Sequence, residues 1–234
     1  MRKSNELKLA INSNLGVPTS LVEKLIEKIK RIEDEGRVKE IVIFTSVDTW
    51  GEQAEYIRTG LEFNRFWDHV NMILTQCPRV IITFMSTYNA LSVFNYGAFI
   101  NEVYKLKQTY ASTDRYWNSA VFLDSSYLRY PQHQTVQVLP YDFSKKILEQ
   151  TKLITYYAIP VFEPKYIGFS DIEVQKLKRI YDWMISPQDA GKQTRNRYNF
   201  YKYFSEHDRR RGTDFVKTFP ELEEFYNFCG TIQI

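Results

Sequence analysis

Short apolar runs that each stop abruptly at a polar cluster constrain this chain most. The run 41–44 (Ile, Val, Ile, Phe) leads into Ser46 and Asp48. Run 79–86 leads into Thr87, Tyr88 and Asn89, and run 120–123 into Asp124, Ser125 and Ser126. Runs of this length, unbroken in 41–44 and mostly so in 79–86, read as strands buried on both faces, as parallel strands are. An earlier, alternating segment with Leu7, Leu9 and Ile11 ends in Asn12, Ser13 and Asn14 and reads as a further strand. Between the runs the apolar period changes to that of helices. Leu21, Val22, Leu25, Ile26, Ile29 and Ile32 mark one helix, with Thr19 or Ser20 as its cap and Gly36 as its end. Leu61 to Leu74 mark a second helix, and Phe94 to Leu106 a third that Ser92 can cap. Alternation of strand and helix in this way predicts right-handed βαβ units and a parallel sheet. Polar clusters following each strand place a site on the sheet's carboxyl edge.

A fifth short strand is expected at 135–139, closed by Pro140, and from Tyr141 onward the pattern is mainly helical. The chain thus divides into 1–140, a partial (β/α) barrel, and 141–234, a helical C-terminal region. The length of 234 residues with 44% hydrophobic content suits one domain or one domain with an appendage. A net charge of +3, with acids and bases interspersed, implies no attraction to nucleic acid or membrane. In the tail, Arg195, Arg197, Tyr198, Tyr201, Lys202, Tyr203 and the run Arg209, Arg210, Arg211 interleave basic and aromatic residues as single-strand binders do. Glu206, Asp208, Asp214 and Glu221 offset that field, and an amphipathic helix packing its aromatics inward accounts for the same pattern. The basic N-terminus lacks the apolar region of a secretory signal and no run reaches membrane length, so a cytoplasmic location is expected. Cys77 and Cys229 are too far apart in sequence for a metal motif, and His69, His133 and His207 lack metal-ligand spacing.

The segment Ser46-Val47-Asp48-Thr49-Trp50-Gly51-Glu52-Gln53-Ala54-Glu55-Tyr56-Ile57-Arg58 resembles the fourth-strand signature of radical S-adenosylmethionine (radical SAM) enzymes. The usual form is Ser-Ile-Asp-Gly followed by a short loop and Arg; Thr49 stands where that pattern has Gly. The resemblance covers about 7–140 and, more loosely, the tail around 208–215 and 218–222. It implies an incomplete parallel (β/α) barrel of radical SAM type, with this chain supplying the family's third to sixth strands. It further implies that Ser46 and Arg58, about twelve positions apart, hold the carboxylate of SAM. Asn14, Asp48 and Asn89 become candidates for ribose or substrate contacts.

In the intact family, SAM chelates a 4Fe-4S cluster held by a CxxxCxxC loop, and its cleavage yields a 5′-deoxyadenosyl radical. This chain has only two cysteines and no such loop. At about 30 residues per unit, something like 60 or more residues carrying the first two units are expected elsewhere. The expectation is therefore the C-terminal portion of a radical SAM enzyme acting on an unknown substrate, inactive by itself. An N-terminal segment or companion chain would bring the cluster loop and a Gly-Gly-Glu motif. The alternative is a cluster-less module that binds SAM, a nucleotide or a peptide. For individual residues bland alternatives stand: a capping hydroxyl for Ser46, a surface ion pair with Glu52 or Glu55 for Arg58, and turn-making Asx bonds for Asn14, Asp48 and Asn89.

Overall fold

The computed structural model describes residues 6–111, 119–158 and 168–234. Its centre is a sheet of four parallel strands, β1 (Lys8–Asn12), β2 (Glu40–Ser46), β3 (Val80–Tyr88) and β4 (Val121–Tyr127), lying side by side in chain order. The molecule is α/β, as the alternation of periods predicts. Helix α1 (Thr19–Asp34) joins β1 to β2. Helices α2 (Glu52–Ile57) and α3 (Phe63–Gln76) join β2 to β3, and α4 (Tyr96–Thr109) lies between β3 and β4. Helix α3 packs on β3, α4 on β4 and α1 on α3.

Strand alternation divides the sheet into two unlike faces. Ile41, Ile43, Val80, Ile82, Phe84, Val121 and Leu123 point to the helices and are buried. On the opposite face Ile81 and Thr83 of β3 are buried, whereas Ala10, Asn12, Val42, Phe44, Ser46, Met85, Thr87, Phe122, Asp124 and Ser126 are half-buried or exposed. A sheet with helices on both faces would bury both sets.

The C-terminal region is helical, as expected, with α5 (Ser144–Tyr156), α6 (Asp171–Ile185), α7 (Ala190–Arg211), α8 (Phe215–Thr218) and α9 (Glu223–Thr231). Helix α6 packs on β4 and α5. Its first turn is held by a reciprocal cap between Ser170 and Glu173. Of the tail aromatics, Phe200, Phe204, Phe215 and Phe225 are buried together, whereas Tyr198 and Tyr201 are half-buried and Tyr203 is exposed; Glu206 takes both Arg209 and Arg210. Among the described residues no helix is long and apolar enough to cross a membrane.

The strand expected at 135–139 is instead a 3-10 turn, Val136–Val138, which follows another at Gln132–Gln134. Its carbonyls find side chains rather than a neighbouring strand, since Arg197 Nε donates to Val138 O at 3.1 Å and Gln193 Nε2 donates to Gln137 O. Ser92 does not cap α4 but closes a 3-10 turn, where Asn89 and Ser92 cap each other. Nor does Thr19 or Ser20 cap α1. Thr19 Oγ1 lies 3.0 Å from His69 Nε2, and His69, fully buried, also meets Leu15 O at 2.9 Å.

Burial lowers the imidazole pKa of His133, and burial followed by Arg211 lowers that of His207 against the pull of Asp208. With folded values below the ordinary one of 6.5, the unfolded chain binds more protons in that interval. Stability is therefore complete above the unfolded value and falls as the pH drops through it toward the folded values. The thermal midpoint should drop between about pH 7.5 and about pH 5.5, and His133→Gln should flatten the drop. An unchanged slope in that variant would remove His133 from the account.

Candidate functional site

The carboxyl ends of the strands form a polar rim. At the end of β2, Ser46 lies on the open face in register with Met85, which in turn registers with Asp124 of β4. Two residues beyond Ser46, the chain leaves the sheet at Asp48, which is 4% exposed. Its Oδ1 accepts the Thr87 amide at 2.7 Å and Arg58 Nη2 at 3.2 Å. Arg58 Nε stands 2.8 Å from Oδ2 but off the line of a hydrogen bond, so that contact is ionic. Burial raises the Asp48 carboxyl above its ordinary value, while Arg58 and the Thr87 amide pull it back.

Arg58 thus has a carboxylate partner, but not Glu52 or Glu55. Glu55 accepts the amide of Phe63 at 2.6 Å and caps α3 instead. Arg58 is brought to Asp48 by α2, a helix of 6 residues with Gly51 before it at φ 66, a backbone region that favours glycine. Its side chain remains 33% exposed, and a guanidinium has more donors than Asp48 engages.

The other candidates do not converge on this pair through any hydrogen bond. Asn14 Oδ1 accepts the Gly16 amide at 3.1 Å, an Asx turn. Asn89 accepts the Leu91 amide at 2.9 Å and donates to Thr87 O at 3.1 Å, which makes it a turn-former after β3. Behind the rim, on the helix-facing side, Tyr96 and Ser125 share a hydrogen bond of 2.6 Å, and Tyr88 donates to Gln150 at 2.7 Å.

The open face is hollowed into a cavity of about 660 Å³, walled by Val42, Phe44, Ile81, Thr83 and Phe122 with the start of α6 along one side. That is the size and apolar character of a small-molecule site. Another cavity, of about 300 Å³, opens at the carboxyl end of β4. Its residues, among them Arg129, Lys176 and Arg179, were not candidates in the sequence. The only signal was the polar cluster after run 120–123, because Lys176 and Arg179 sit in an ordinary amphipathic helix.

Cys77 and Cys229 are both buried. Burial, with Glu33 nearby, pushes the Cys77 thiol up to about 11, and burial pushes Cys229 up to about 12. Neither suits a thiolate ligand of a 4Fe-4S cluster, and no group of three or more candidate metal ligands occurs among the described residues. Comparison with known proteins returned no match: no family model, no curated protein and no solved structure matches the chain.

Proposed function

We propose that this chain is the C-terminal portion of a radical SAM-type (β/α) barrel and binds SAM across its open sheet face. The observation that carries this reading is the all-parallel sheet in chain order with one face not covered by helices among the described residues, since sequential order and one-sided helices suit a barrel wall better than a doubly wound sheet. The cavity on that face has room for a ligand; Ser46 lies outside its lining, two residues beyond Phe44 on the same face toward the carboxyl rim. Arg58, steadied by Asp48, would turn its remaining N–H groups to the SAM carboxylate, and the Ser46 hydroxyl would donate to the same group. Asn14 and Asn89 would shape the loops around the site rather than touch the ligand.

SAM and a cluster together supply hydrogen-abstracting radical chemistry when both are bound. The cysteines of this chain do not fit the cluster, so the CxxxCxxC loop belongs to an N-terminal segment or companion chain, in a cytoplasmic setting. This chain's part is to bind and orient SAM and to keep water from the sheet face.

Two measurements test the reading. Coding DNA upstream of Met1 should carry CxxxCxxC and Gly-Gly-Glu, in frame, one frameshift away or in an adjacent gene. Their absence would withdraw the enzymatic part and leave a cluster-less binding module. In calorimetry, SAM affinity should be low for the chain alone, should rise when that segment is added, and should fall about tenfold or more in Arg58→Ala. Tight binding by the lone chain would count against a split enzyme, and an unaltered affinity in Arg58→Ala would remove the assigned role of the arginine.

A further inference from the structure

The cavity of about 300 Å³ at the end of β4 is lined by Ser125, Ser126, Tyr127, Arg129, Lys176 and Arg179. Its charge is unbalanced. Lys176 pairs with Asp124, but among the described residues neither Arg129 nor Arg179 has a carboxylate partner. Other surface cations do have one: Arg65 meets Glu62, Lys105 meets Glu102, Lys145 meets Asp142 and Lys146 meets Glu149. Two guanidinium groups uncompensated in one concavity repel each other, and a bound anion relieves that repulsion.

The cations approach from two sides. Lys176 and Arg179, three positions apart on α6, share a helix face. Arg129 comes from the loop after β4, where its Nη2 donates to the Tyr127 hydroxyl at 3.1 Å and its guanidinium lies 5.2 Å from the ring centroid. Tyr127 is in turn stacked on Trp183 at 5.1 Å, so the Arg129 wall is backed by two rings. On the α6 side, Arg179 Nε donates to Gln175 O at 3.3 Å. These contacts use neutral groups and leave both charges uncancelled. Ser126, exposed at the rim, offers a hydroxyl donor.

We propose that this cavity binds the phosphoryl group of a small phosphate monoester. A dianion matches the two unpaired arginines, whereas a carboxylate would leave one positive charge over. Guanidinium forks and a serine hydroxyl suit three equivalent oxygens. The volume fits a phosphoryl group with a short organic part. The proposal does not rest on the SAM reading, because SAM carries no phosphoryl group.

The test is calorimetric titration of the full chain at low ionic strength with inorganic phosphate, glycerol 3-phosphate and acetate. Both phosphates should bind saturably and acetate about tenfold more weakly or not at all. Arg129→Gln and Arg179→Gln should each weaken phosphate binding about tenfold or more, with the ligand-free melting midpoint unchanged. Absence of saturable phosphate binding, acetate binding as tightly, or parental affinity in the Arg129→Gln/Arg179→Gln double variant would each overturn the site. Binding of inorganic phosphate with exclusion of glycerol 3-phosphate would overturn the monoester.

Discussion

Glu173→Ala should lower the thermal midpoint of this chain by roughly 10 °C, the expected result of about 3–5 kcal/mol lost at about 2–4 °C per kcal/mol. The reason lies in what the carboxylate holds. Glu173 Oε1 accepts the Leu123 amide of β4 at 2.8 Å and meets Lys107 Nζ at 3.0 Å. Its Oε2 accepts the Ser170 amide at 2.8 Å and the Ser170 hydroxyl at 2.9 Å. Lys107 is itself fully buried; its ammonium donates to Val121 O at 2.8 Å and lies 4.9 Å from the centroid of the Phe122 ring. Burial pulls the lysine pKa down, and Glu173 is what opposes it. Remove the carboxylate and a cation is left in an apolar layer with only a carbonyl beside it. A Lys107→Met/Glu173→Gln double variant, which removes the charge as well, should recover part of the loss. Melts followed by circular dichroism decide the matter, and a Glu173→Ala shift no larger than that of the surface change Glu149→Ala would show the pair to be idle.

Asp48→Ala should cost about 2–3 kcal/mol, less than the first change because water can solvate part of Arg58 once its partner is gone. The loss has two parts: a Thr87 amide without the acceptor of its part-buried hydrogen bond and an arginine without its anchor. Asp48→Asn separates them. The amide oxygen can still serve Thr87, so stability should fall less, while Arg58 loses the charge that orients it. On the SAM reading, Asp48→Asn should therefore weaken SAM binding severalfold while the midpoint stays close to the parent's. Equal losses of stability for Ala and Asn would place the whole effect in the charge.

The strands were legible because β2, β3 and β4 carry apolar runs, but burial on both faces, which such runs suggest, is not what the sheet shows: only the helix-facing side is buried throughout. Helices α1, α3 and α4 were legible from their period. Helix α2 was not, since 6 residues between Gly51 and Arg58 give a period no time to repeat. The segment 135–139 misled for a different reason. Val136 and Val138 are buried with Leu139, as a strand would bury them, yet the carbonyls of Gln137 and Val138 take side chains from α7, and that depends on a helix more than fifty positions away. The rim was visible as recurring polar clusters, and Asn89 as a turn-former. The pairing of Arg58 with Asp48 rather than with Glu52 or Glu55 was not, because it is decided by the sharp exit of the chain from β2. The Lys107–Glu173 contact is hidden for the same kind of reason: each residue reads as the charged side of its own helix until the fold closes over both.

The two margins of the sheet are chemically unlike. At β4, the lysine and the glutamate occupy Val121 O and Leu123 N, the very groups with which a further strand would pair, so growth of the ladder is terminated there by side chains. At β1, Lys8, Ala10 and Asn12 are exposed and β2 is the only strand neighbour among the described residues. The ladder consequently has a direction: any added strand, whether from the same polypeptide or another, is admitted beside β1 and refused beside β4.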